Sequence, residues 1–600
     1  MPQPLRTAAV AALCALLCAA APGDEARAPR ATMPVEEITP GMTGYGLTVI
    51  RGTKPERFDV EVIDVVLGVA PGRNAILVRA SGLGLEHSGA VAGMSGSPIY
   101  IDGRLIGALS FGWPWPKDPI AGVTPIAEME AALLEPLPRS QPTASWAGFD
   151  LSELLSPERP LGSLFKPADS RQSLSETLRP LAVPLLLPAL GPQARRIAES
   201  LLPGGNYFLA EGISGSAAGA AGAEAASFEP GSPLFATLVS GDMTIGAIGT
   251  VTDVRGELVY GFGHSFLGSD DVAIPMYTAR ISVIFPSVYR SFKLASPMAE
   301  KGAITRDRST GVLGVIGKTP STVPMRVSIN RAGEKATFSY NVFKHYSMTA
   351  QLAATVAAES LTTYGGLSPD STVSYRFKVA YSGGRRLDYA WEAAGANALS
   401  SMANDLSGAL AVTMFNPFLR LDPQSIDIDF DVAGSDRSAV IDSVTVRENE
   451  VRPGGEIVAV VKLKAALSKT RTVTVRLAVP SNILPGQKSL IVCDGRTSDA
   501  IDIQQSRRLL NPSDIDQLLD VITPKRSPGE IVLRLADADR GVAISTSEFP
   551  RLPSSAIAIL AAPEQGQLSA LYYSVSAGEV TPFVVSGKSV IPINIKSPQE

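Results

Sequence analysis

Residues 91–109 read VAGMSGSPIYIDGRLIGAL, a serine set between glycines and followed by two short apolar runs joined by Asp102-Gly103. A serine hydroxyl is a weak nucleophile at neutral pH, so its surroundings decide whether it can react. Gly93 and Gly96 permit a tight turn around Ser95, which lets the hydroxyl protrude while the N–H groups of Gly93 and Ser95 converge on one point. An oxyanion formed by attack on a carbonyl would sit there. Ile99, Ile101, Leu105, Ala108 and Leu109 supply strand positions, and Asp-Gly is a favoured two-residue hairpin turn. The same residues, taken alone, also fit a glycine-rich hairpin without chemistry.

A nucleophilic serine needs a base within hydrogen-bond reach, most often histidine. The chain has three histidines, His87, His264 and His345. His264 sits in Gly261-Phe262-Gly263-His264-Ser265, at the end of a strand of the hairpin around Asp253-Val254-Arg255-Gly256, where flanking glycines leave its ring room to meet a partner. His87 lies close to Ser95 in sequence, but the intervening turn directs it elsewhere. His345, in FKHYSM, reads as a partly buried strand residue. Gly212-Ile213-Ser214-Gly215-Ser216 nearly repeats the Ser95 motif, yet no strand pair follows it, and Ser214 reads as a linker serine.

The segment Gly93-Met94-Ser95-Gly96-Ser97-Pro98-Ile99, followed by Gly103-Arg104-Leu105-Ile106-Gly107-Ala108 and by Asp118-Pro119 with Gly122, resembles the serine half of the sporulation protein IV B (SpoIVB) peptidase family. Gly246-Ala247-Ile248-Gly249-Thr250-Val251-Thr252, running into Tyr260-Gly261-Phe262-Gly263-His264, resembles that family's histidine half. The resemblance implies a chymotrypsin-like serine endopeptidase acting on a protein or peptide, itself included. It makes Ser95 the nucleophile, His264 the general base, and the N–H groups of Gly93 and Ser95 the oxyanion hole. With an ordinary imidazole pKa, activity is expected to fall below about pH 6.

Two departures matter. In the sporulation members the histidine half comes first, whereas here Ser95 does, as in a permuted pairing of two half-barrels. The family also carries an aspartate upstream of its serine, where this chain has Arg79-Ala80-Ser81-Gly82. Glu86, Asp270 and Asp271 are the carboxylates that remain to orient His264, and the sequence does not choose among them. Loss of an orienting carboxylate can lower turnover by about 10⁴. A weak or self-cleaving peptidase, or a non-catalytic envelope protein retaining the barrel for binding or assembly, therefore stands beside the active enzyme.

The elements that must position these residues read as mainly β. Alternation such as Phe58, Val60, Val62 against Asp59, Glu61 marks strands with one buried face. We expect a signal peptide over 1–28, a serine half of the peptidase over 33–137, and a linker with short helices and a Gly/Ala-rich loop over 138–233. A histidine half over 234–330 follows, then an α+β segment over 331–432, an immunoglobulin-like β-sandwich over 433–504 and a mixed segment over 505–600. The leader implies export to the periplasm, cell envelope or exterior, with a lipoprotein anchor at Cys14 or Cys18 as the variant. Its removal leaves Cys493 alone, so the cores and not disulfides must hold the fold. A net charge of −5 over 600 residues, with no basic stripe, argues against nucleic acid. No later segment is apolar for long enough to span a bilayer. No phosphate loop or zinc-type cluster is present, so neither a metal nor a cofactor is expected. The C-terminal β domains would bind an envelope protein partner.

Overall fold

The computed structural model describes residues 31–113, 117–136, 179–202, 206–212, 226–268, 271–466, 470–510, 512–544, 547–549, 555–556 and 568–597. The leader read at 1–28, most of the linker, Ser214 and Asp270 lie outside the described residues.

The first barrel is built from β1 (Thr43–Thr48), β2 (Glu56–Ala70), β3 (Arg73–Ser81), β4 (Pro98–Ile101), β5 (Arg104–Gly112) and β6 (Ile120–Pro125). Phe58, Val60 and Val62 of β2 point inward and Asp59 and Glu61 outward, as the alternation predicts. The β4–β5 turn has positive φ at both Asp102 (49°) and Gly103 (72°), the geometry that Asp-Gly favours. Antiparallel pairings run β1–β2–β3–β6–β5–β4 and return from β4 to β1, so the ring is closed. Ile76, Val78, Ile99, Ile101, Ile106 and Leu109 are among the residues that fill it. β7 (Arg179–Pro180) adds to β5.

Next in the chain, β8 (Val183–Leu187) and β9 (Tyr207–Glu211) form a parallel pair beside the second barrel. That barrel consists of β10 (Pro233–Gly241), β11 (Ile245–Arg255), β12 (Leu258–Gly261), β13 (Asp271–Phe285), β14 (Phe292–Arg308) and β15 (Gly311–Ile316). Its pairings run β10–β11–β12–β15–β14–β13 and back to β10. Numbered within each barrel, both rings therefore have the order 1-2-3-6-5-4. The fold is mainly β and built around a double β-barrel. Val183–Leu187, expected to be linker, is a wholly buried strand that pairs with β11, as a short continuous apolar run can be.

From β10 the sheet continues through β17 (Glu334–Phe343), β16 (Thr322–Arg331), β20 (Pro423–Ala433), β18 (Thr372–Tyr381) and β19 (Arg386–Ala394). The helices Thr349–Thr363 and Ala398–Met414 belong to this part and share one apolar core with the second barrel. The α+β character expected over 331–432 is thus an extension of the barrel sheet.

The C-terminal part is a two-sheet sandwich. Strands Arg471–Ala478, Glu456–Ala465, Ser438–Val446 and Val584–Ser586 form one sheet. The second includes Lys588–Ile595, Gly486–Asp494 and Glu530–Ile544. Ile457, Val461, Leu463 and Val475 meet Leu490, Val492, Leu533 and Ile593 between them. Gly486–Asp494 pairs on both sides with strands from beyond residue 505, so the sandwich runs past the expected limit at 504. Arg496 anchors it to the α+β region by a bidentate pair to Asp405 (2.8 and 2.7 Å), its guanidinium lying over Trp391. No helix among the described residues is long and apolar enough to cross a membrane.

Candidate active site

Ser95 lies in the connection from β3 to β4, after a short helix Leu85–Ser88. Gly93 and Gly96 have φ of 98° and 95°, a region that side chains with a Cβ rarely adopt. Glycine is also required sterically at 96, where a Cβ would lie 2.1 Å from Thr250 O and 2.4 Å from Phe262 N. The loop is held by the second barrel through its carbonyls. Thr250 N donates to Ser95 O, Thr250 Oγ1 to Gly93 O and Thr252 Oγ1 to Gly96 O, each at 2.8 Å. The N–H groups of Met94, Gly96 and Ser97 are used within the first barrel. Among the described residues, no acceptor meets the N–H of Gly93 or Ser95.

His264 lies in the connection from β12 to β13. Phe262 and Gly263, with φ of 65° and 68°, turn the chain sharply beyond β12. A Cβ at Gly263 would be 2.3 Å from Ser110 Oγ, and Gly263 O accepts from Thr124 Oγ1 at 2.8 Å. The grip is reciprocal, since β11 holds the serine loop while β5 and β6 hold the histidine loop.

The two loops bring Ser95 Oγ to 2.5 Å from His264 Nε2, across 169 residues of sequence. The other ring nitrogen, Nδ1, is 2.7 Å from Ser265 O. A carbonyl only accepts, so Nδ1 carries the proton and the neutral ring presents a bare Nε2 to the serine hydroxyl. Ser95 Oγ is also 2.5 Å from Phe262 O, which competes for the same single proton. Ser95 and His264 are 0% and 1% exposed. Burial lowers the His264 pKa from 6.5 to about 4, opposed by the Ser265 and Leu181 backbone and slightly reinforced by the Arg73 guanidinium. The resting imidazole is therefore neutral at physiological pH.

None of the candidate carboxylates is seen to orient this ring. Glu86 is exposed and accepts from Gly82 N at 2.6 Å, a bond that also lowers its pKa. Asp271 is exposed at the start of β13, and Asp270 lies outside the described residues. Among the described residues, it is the Ser265 carbonyl that His264 Nδ1 meets. That carbonyl also accepts from Asn206 Nδ2 at 3.2 Å. Asp307 of β14, fully buried, accepts the N–H groups of Phe266 (2.7 Å), Leu267 (2.5 Å) and Gly268 (2.9 Å) and so fixes the loop that follows His264. Sequence reasoning missed Asn206 and Asp307, because a charged residue in TRDRST and an asparagine beside Pro203-Gly204-Gly205 carry no local sign of a distant partner.

The other histidines stand apart from Ser95. His87 is exposed on the short helix, and His345 is buried beside Phe343 and Tyr346, its Nδ1 3.0 Å from Ser347 Oγ. Trp113 packs with Ala75 and Phe111 of the first barrel.

Ser95 and His264 occupy the same topological place, the connection from the third to the fourth strand of their respective barrels. Exchanging the chain order of two such barrels would preserve the juxtaposition of these loops. No curated protein and no solved structure matches the chain. Residues 26–122, the stretch that carries Ser95 and the whole of β1–β5, match the SpoIVB peptidase S55 family, the same family that the serine and histidine motifs resemble.

Proposed function

We propose that this chain is a serine endopeptidase in which Ser95 attacks a peptide carbonyl and His264 accepts the serine proton. The N–H groups of Gly93 and Ser95 then stabilise the oxyanion, and the Ser265 carbonyl takes the orienting role usually given to a carboxylate. The observation that carries this reading is the 2.5 Å contact between Ser95 Oγ and His264 Nε2, with the ring tautomer fixed on its far side. A carbonyl stabilises an imidazolium less than a carboxylate does, which fits a slow enzyme or one that cleaves itself. The leader and the C-terminal sandwich suggest action in an exported compartment, with the sandwich docking an envelope partner. A fluorophosphonate probe tests the chemistry without a known substrate. Wild-type protein is expected to be labelled and Ser95→Ala not; labelling that survives in Ser95→Ala refutes the assignment. Comparing the masses of the two purified chains distinguishes self-cleavage from action on other proteins.

A further inference from the structure

Lys293, the second residue of β14, is fully buried directly beneath the Ser95 loop. Its Nζ donates to Thr48 Oγ1 at 2.7 Å and to Thr250 Oγ1 at 3.4 Å. The Thr250 hydroxyl proton is committed to Gly93 O at 2.8 Å, so toward the lysine that oxygen can only accept. The lysine's own N–H donates to Ala92 O at 2.9 Å. Its stem forms the floor under Gly93, where a Cβ would meet Lys293 Cβ and Cδ at 3.2 Å. Both carbonyls flanking Gly93 are thus held by Lys293, one directly and one through Thr250. In a trans peptide the N–H points opposite the C=O, so holding Ala92 O turns Gly93 N–H away from Lys293.

No salt-bridge partner for Lys293 is found among the described residues, and desolvation pulls its pKa down to about 7. A buried amine without a counter-charge destabilises a fold, and a methionine of similar length would fill the same space without that penalty. The amine therefore calls for a role other than packing. Gly93, at φ 98° and lacking a Cβ, has little intrinsic resistance to rotation of its peptide planes.

We propose that Lys293 is a positioning residue of the peptidase site: through Thr250 it holds the Gly93 carbonyl, and with it the Gly93–Met94 peptide plane that lies between the Gly93 and Ser95 N–H groups, so that both stay converged on the oxyanion. This rests on the serine-peptidase reading above. Either protonation state of the amine has enough protons to serve both threonines.

The test is the saturation kinetics of fluorophosphonate labelling in the full chain, for wild type, Ser95→Ala, Lys293→Met, Thr250→Val, Thr250→Ser and the Lys293→Met/Thr250→Val double variant. Lys293→Met and Thr250→Val are each expected to lower the maximal labelling rate by about 10²-fold, the effect of losing one oxyanion donor. Half-saturating probe concentration should stay unchanged. Thr250→Ser keeps the hydroxyl and should recover most of the rate. The double variant should be no slower than the slower single variant, because both changes act on one carbonyl. A wild type that does not label refutes the peptidase reading itself. A labelled wild type with Lys293→Met at the same maximal rate overturns the role of Lys293 alone. Should Lys293→Met not fold, the threonine pair decides: loss in Thr250→Val with recovery in Thr250→Ser supports the proposal, and equal rates in the two overturn it.

Discussion

Acidification separates a buried imidazole base from a solvated one. His264 must be neutral to accept the Ser95 proton, and burial lowers its pKa from 6.5 to about 4. With a pKa of about 4, about 90% of the rings are neutral at pH 5, whereas a solvated ring would be only about 3% neutral. The two environments therefore differ by about thirty-fold in expected rate at that pH. This revises the expectation from sequence, since the loss of activity moves from about pH 6 to about pH 4. The assay is the second-order rate of fluorophosphonate labelling between pH 8 and pH 3.5, a free-enzyme quantity that reports the free-enzyme pKa. The rate must be corrected for the folded fraction. Because the folded pKa lies below the unfolded one, the unfolded chain binds more protons between pH 6.5 and pH 4, so stability falls as pH drops through that window and is intact above it. A shift from 6.5 to about 4 corresponds to about 3 kcal/mol for His264, and burial gives His345 a similar shift. Intrinsic fluorescence at each pH supplies the correction, and His345→Phe should remove the His345 share while leaving the labelling profile in place. A labelling midpoint near pH 6.5 would refute the buried-base argument, and a rate independent of pH down to 3.5 would refute His264 as the base.

Gly96→Ala places a Cβ against two backbone groups of the second barrel, Thr250 O and Phe262 N, at a φ of 95°, so urea unfolding should show a loss of more than about 2 kcal/mol and labelling should disappear. Gly103→Ala is the control, for its Cβ meets open space at a φ of 72°, and it should cost only about 1 kcal/mol and keep its labelling. Asp307→Ala strands the three N–H groups after His264; a stability loss of about 3 kcal/mol and at least about ten-fold slower labelling are expected, with Asp307→Asn milder because it keeps one acceptor oxygen. Equal behaviour of the Ala and Asn variants would count against that account. Arg496→Met leaves Asp405 buried with the Tyr375 and Tyr389 hydroxyls and no counter-charge, and thermal unfolding should register about 3–5 kcal/mol, most of it recovered in Arg496→Met/Asp405→Leu.

Local chemistry was legible in the chain alone. The glycines around Ser95, the Asp-Gly turn and the in-out alternation of β2 each act over a few residues, and each is found in the structure as read. The turn of the serine loop is local in the same way, set by two glycines at positive φ whose spacing is written in the sequence. What the chain could not express was pairing at long range. The closure of the two rings, the burial of Val183–Leu187, the strands beyond 505 that complete the sandwich, and the partners of Asp307 and Asn206 depend on contacts between residues tens to hundreds of positions apart. The partner of His264 Nδ1 was hidden for a related reason. Side-chain type announces a carboxylate, but any residue has a carbonyl, so only the turn at Phe262–Gly263 could reveal that Ser265 O faces Nδ1. The pKa of His264 follows the same division: the sequence determined that an imidazole was present, and the tertiary structure, by taking water away from it, decided at which pH it can act as a base.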